Sequence, residues 1–169
     1  GTVGLTPAQL AAVMDGQAYV NLHTAANPGG EIRGQIVVRS TAVPLTAWIS
    51  GLNERPTPLV NSAAGLGLFS LEGDQLAFNL SYSGLGGTAT AAHLHGAAAS
   101  SVNAGVQIDL APFHRGPFST SGAFSGVVPV TAAQRTMILN GQAYFNIHTV
   151  ANPGGEARGQ LATVLMSAA

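Results

Sequence analysis

A chain of 169 residues, 46% hydrophobic but only 6% aromatic and 8% charged, has material for one sizeable core built largely from small side chains. Its net charge of −1, with six arginines and no lysine, excludes the clustered positive charge that nucleic acid or an anionic membrane surface requires. No stretch approaches the ~18 apolar residues of a membrane-spanning helix, and the lack of cysteine removes disulfides, thiolate metal sites and cysteine nucleophiles.

The first element is a short helix. In LTPAQLAAVMDG (5–16), Thr6 stands three residues before Gln9, the pattern of a capping box. Pro7 suits the first helical position, and Asp15-Gly16 supplies a stop. A strand follows, with Tyr19, Asn21 and His23 on one face and Val20 and Leu22 on the other. The turn ANPGG reverses the chain, and a second strand returns from Ile32 to Val38.

This helix and hairpin occur twice. GQAYVNLHTAANPGGEIRGQI (16–36) and GQAYFNIHTVANPGGEARGQL (141–161) differ at five of 21 positions, all exchanges among apolar residues. The offset of 125 residues also carries VTAAQRTMILNG (130–141) onto the first helix. Between the copies, TAWISGL, AAGLGLFSL, DQLAFNLSYSGL, ATAAHLHGAA, GVQIDL and FSTSGAFSGVV are short β-type runs separated by Gly, Pro, Asn and Asp. The expected fold class is an all-β, Greek-key or immunoglobulin-like antiparallel sandwich, with a short helix before the closing hairpin and an extra N-terminal helix-hairpin. Residues 1–41 would form the half-repeat and residues 42–169 the complete domain. A two-stranded hairpin is not stable alone in water, so the N-terminal copy must add to a sheet edge, pack on a face or join another chain. Self-association through this hairpin or a sheet edge is the expected partner relation.

Chemistry concentrates in the histidines. Alternation places His93 and His95 on one face of a strand, and His148 brings a third imidazole if the closing strand lies beside it. Three neutral nitrogen ligands with an open position suit copper, or alternatively zinc. Against that, His148 and its repeat partner His23 share an NxHT context that a turn hydrogen bond would also explain. His114, in PFHRGPF, reads as a loop residue that could add a ligand. Both Glu31/Arg33 and Glu156/Arg158 follow the turn two residues apart, which suits a local ion pair; Arg158 beside a metal would instead guide an anionic substrate. There is no GxSxG elbow, P-loop or dinucleotide fingerprint, and the acidic residues are too scattered to single out a carboxylate pair.

The motifs LNERPTPLVNSAAGLGLFSL, GLGGTATAAHLHGAAA and GQAYFNIHTVANPGGEARGQL, in that order, resemble the CHRD domain, a family named after chordin and found in exported bacterial proteins. Residues 16–36 match the closing motif alone. The resemblance implies a secreted, periplasmic or extracellular protein. More distantly, H-x-H followed by a strand-end histidine, a Gly-rich turn and an arginine looks like the copper side of copper/zinc superoxide dismutases. That likeness implies His93, His95 and His148 as copper ligands and Arg158 near the open position. The zinc-site histidines and the disulfide of that family are missing, so the implied site is copper-only, and simple binding is favoured over dismutation. Ligation by neutral imidazoles predicts that affinity falls below a pH of ~6.5.

Overall fold

Two threonines start the two helices. In the computed structural model, which describes residues 4–36 and 42–164 and only the backbone at Leu10, Ala11 and Met14, α1 spans Pro7–Met14 and α2 spans Ala132–Leu139. Thr131 and Gln134 form a complete capping box on α2. Thr6 and Gln9 make the same reciprocal bonds before α1. Each helix runs out at a glycine of φ +67°, Gly16 and Gly141, a conformation that costs a side-chain-bearing residue about 1–2 kcal/mol.

The chain divides into two compact units between Thr41 and Ala42. In the first, β1 (Tyr19–Leu22) pairs antiparallel with β2 (Ile32–Gln35), in register Tyr19 to Gln35 and Leu22 to Ile32. The expected continuation through Val37 and Val38 falls outside the described residues.

In the second unit the apolar runs become β3 (Val43–Ser50), β4 (Ala64–Glu72), β5 (Gln75–Ser83), β6 (Ala89–His95), β7 (Val106–Asp109) and β8 (Gly122–Pro129). After α2 come β9 (Tyr144–Thr149), β10 (Ala157–Gln160) and the short β11 (Ala162–Thr163). All belong to one antiparallel sheet, ordered β7-β6-β9-β10-β3-β4-β5-β8, with β11 also on β3. The all-β, sandwich-like class holds, but hydrogen bonding runs through one curled sheet rather than two separate ones. Its right-handed twist lets the sheet fold over a shared core.

Alternation fills that core. Leu45, Ala47 and Ile49 of β3, Leu76, Phe78, Leu80 and Tyr82 of β5, and Phe145 and Ile147 of β9 are all buried. Phe124 on β8 lies 5.8 Å from Phe145 on β9, so the last strand of the sheet order meets the third across the interior. Backbone bonds from Leu85 to Thr120 and from Ala89 to Ser119 draw the start of β6 toward the start of β8.

Strand β9 breaks the alternation: all six of its residues are buried. Phe145 and Ile147 enter the core. Tyr144, Asn146 and His148 lie on the other face, roofed by the segments 51–57 and 96–105. Burial on both faces is unusual for an antiparallel strand, and it gives this face a sheltered polar interior.

Because Phe124 is fully buried and joins β8 to β9 across the core, Phe124→Ala is expected to lower unfolding free energy by about 3–5 kcal/mol, read by urea denaturation.

Candidate metal centre

Register creates the site. β6 pairs with β9 so that His93 lies opposite Asn146, His95 opposite Tyr144, and His148 opposite Ala91, diagonal to His93. Cross-strand neighbours on one face of a sheet lie within reach of each other. The imidazoles of His93, His95 and His148 therefore cluster, with one ring nitrogen of each within 4.8 Å of the others. Ring centroids stand 4.9 Å apart for His93 and His148, 5.5 Å for His93 and His95, and 5.6 Å for His95 and His148.

Backbone carbonyls set the tautomers. His95 Nδ1–H donates to Ala104 O at 3.0 Å, and His148 Nδ1–H donates to Pro153 O at 3.1 Å. Each Nε2 is then left with its lone pair. His148 Nε2 faces His93 Nδ1 at 3.1 Å. His95 Nε2 is buried and has no partner, a costly arrangement for a polar atom. Two fixed lone pairs and the adjacent His93 Nδ1 form a donor set suited to a divalent or cuprous ion held by bonds of about 2 Å. The three histidines could thus hold a metal ion, and the turn bond of His148 coexists with that role because it uses the other ring nitrogen.

Burial makes the imidazoles poor bases. Desolvation, with the His93 and His95 charges, lowers the His148 pKa to about 4 against the pull of the Pro153 bond. His95 is lowered by desolvation too, opposed by its Ala104 bond and reinforced by His93 and Arg158. Both rings thus hold the neutral form to lower pH than an ordinary imidazole, His148 down to about 4.

Tyr144 separates this cluster from Arg158. Its ring stacks on His95 at 5.0 Å and 10°, and the Arg158 guanidinium lies 3.5 Å over its centroid. Arg158 is 1% exposed and donates to the carbonyls of Val102 and Ala99, to Asn103 Oδ1 and to Gln160 Oε1. Its guanidinium therefore clamps the 96–105 segment, with its place behind Tyr144. The exposed Glu156–Arg158 pair anticipated from spacing does not form. Glu156 is buried and accepts from Thr149, Asn152 and Gly86 N. Against burial, which would raise its pKa, those bonds hold it below the ordinary value.

Neither of the other two histidines belongs to the trio. His114 packs on Phe118 and Phe124 and bonds through both nitrogens, Nε2 to the Tyr82 hydroxyl and Nδ1 to Gly116 O. His23 belongs to the first unit, with its Nδ1–H on Pro28 O.

Sequence reasoning missed the buried neighbours. Glu54 is 3% exposed and sits against Asn146, whose Nδ2 donates to Glu54 Oε2 at 3.4 Å. Glu54 Oε1 and Asn146 Oδ1 have no partner. Desolvation raises the Glu54 pKa to about 7, overcoming the Asn146 bond and the Arg158 charge. The repetition of Tyr and Asn at 19 and 21 as at 144 and 146 was the available signal for these shared roles.

A fold and site of this kind define an all-β, sandwich-like protein with a three-imidazole cluster beneath a loop. The CHRD domain family model matches residues 1–36 and 45–161, and the chain belongs to that family. No curated protein and no solved structure matches the chain.

Two outcomes follow. Arg158→Lys loses the fork and the planar stack, and is expected to cost about 2–3 kcal/mol of stability by urea unfolding. Glu54 binds its proton more tightly folded than unfolded, so its contribution falls as pH rises from ~4.5 through 7. The melting-temperature difference between Glu54→Gln and the parent should accordingly move in the variant's favour between about pH 5 and about pH 8.

Proposed function

We propose that this is an exported copper-binding protein, with His93, His95 and His148 as the ligands and one coordination position left open. The observation that carries the reading is the His95 Nε2, buried without a partner beside two further imidazole nitrogens. Three nitrogens and no thiolate suit Cu(II) by softness and by the stability order of divalent ions; zinc is the alternative occupant. Export is supported by the CHRD relationship and by the low charge of the chain.

Bound copper would supply one-electron chemistry, which fits copper handling or protection against superoxide. The protein's part is to keep two imidazoles neutral, fix their orientation through Ala104 and Pro153, and exclude bulk water around His95. Arg158 serves as a positioning residue that holds the roof through Tyr144 and lends positive potential to His95.

The second reading, a structural or assembly module, is favoured by the exposure of Val20, Leu22 and Ile32 on the first unit. The two readings are compatible.

Copper titration of the chain should give about one equivalent, lost in His93→Gln/His148→Gln. Burial lowers the pKa of His148, to about 4, and of His95, so the loss of binding is expected between the ~6.5 read from ordinary imidazoles and about 4, lower than the sequence alone predicts, and complete below about pH 4. His95→Ala is a poorer probe than His95→Gln, because His95 is buried against Tyr144 and its removal also leaves a void. No copper at neutral pH would return the trio to a structural role, and no excess of superoxide removal over free copper would leave binding without catalysis.

A further inference from the structure

The two repeats make the same local bonds. Arg33 stacks on Tyr19 at 3.7 Å, as Arg158 does on Tyr144 at 3.5 Å. His23 Nδ1–H donates to Pro28 O, as His148 does to Pro153 O. Thr24 donates to Glu31 as Thr149 does to Glu156. Gln35 reaches Gly16 O as Gln160 reaches Gly141 O. Even the unpartnered Oδ1 is shared by Asn21 and Asn146. The first hairpin already holds the shape of the second.

Their surroundings differ. Val20 and Leu22 are each 56% exposed and Ile32 is 64% exposed, whereas their counterparts Phe145, Ile147 and Ala157 are at most 1% exposed. In the second unit that face closes the core, with β6 hydrogen-bonded along β9 and β3 along β10. β1 and β2 form a two-stranded sheet among the described residues, with both outer edges free. Three large apolar side chains more than half exposed on so small an element mark an interaction surface. The buried twin shows what covers it: strands of the β3 and β6 kind.

We infer that the first unit docks, through Tyr19–Leu22 and Ile32–Gln35, into a first-half segment of this same fold. The H-x-H pair on that segment's β6-type strand then joins His23 in a second three-imidazole site. Simple strand exchange between two whole copies has no net drive, because a displaced β9–β10 pair would expose as much apolar surface as the incoming hairpin covers. The occupant is therefore a segment whose own closing hairpin is absent. His23 enters with its Nδ1 proton committed to Pro28 and its Nε2 lone pair free for a metal. The docking rests on the exposed face alone; the second metal site rests also on the copper reading.

The test mixes the full chain with a tagged probe polypeptide of residues 42–130 of this sequence. The probe carries β3 to β8 with His93 and His95 but no closing hairpin, and is diluted from urea so that it need not fold alone. The expected result is a 1:1 complex by light scattering, with amide exchange at 19–22 and 32–35 slowed at least about tenfold. A Val20→Asp/Leu22→Asp chain should bind the probe about 100-fold more weakly or worse. Bound copper should exceed that of chain and probe measured separately by about one equivalent, and His23→Gln should abolish the excess while leaving the complex intact. Absence of a complex, or binding indifferent to the Val20/Leu22 changes, overturns the docking. A complex without extra copper, formed by a chain that binds its own equivalent, overturns the second site alone. If the chain by itself binds no copper, the copper reading fails, and complex formation still decides the docking.

Discussion

Placement of β9 between β6 and β10 is the constraint on which the rest of the second unit depends. One face of that strand closes the apolar core through Phe145 and Ile147, and the other presents Tyr144, Asn146 and His148 to a roofed polar layer. A slip of one residue would send the imidazole into the core and the phenylalanine toward the roof. Core packing therefore enforces the geometry of the imidazole cluster, because the register that buries Phe145 and Ile147 is also the one that sets His148 diagonal to His93.

The roof is held by a different kind of force. His95, Tyr144 and Arg158 stack in series, and the guanidinium then reaches three residues of the overlying segment: Ala99, Val102 and Asn103. This column couples His95 to the loop without any carboxylate at the guanidinium's hydrogen-bond positions. Arginine can do this because its planar face and its edge bind different partners at once. A low charge content is consistent with such a design, since backbone carbonyls and an aromatic ring take the place of counter-ions.

Much of this was legible in the sequence. The 125-residue repeat, both capping boxes and all six intervening β runs could be read directly, because periodicity, turn residues and caps are local signals. The H-x-H pair could be placed on one strand face by alternation, and His148 could be proposed as its neighbour. The inward turn of Glu156 and Arg158 could not be read, because spacing says that two side chains share a face but not what lies above that face. Glu54 was missed for the same reason: its partner Asn146 lies 92 residues along the chain. Long-range burial of polar groups leaves little local trace, except that Tyr, Asn, Glu, Arg and Gln recur together in both hairpins.

The carbonyls of Ala104 and Pro153 orient the rings of His95 and His148, and both are main-chain atoms. Orientation of the imidazoles is thus written in the path of two loops and not in the identity of any side chain on them. Loop residues other than Asn103 and Asn152, whose side chains are themselves bonded, can drift in evolution with little effect on the rings, provided the backbone trace is kept, whereas an insertion or deletion of one residue would turn a ring. Divergence among relatives of this protein should therefore be tolerated as substitution and resisted as change of loop length.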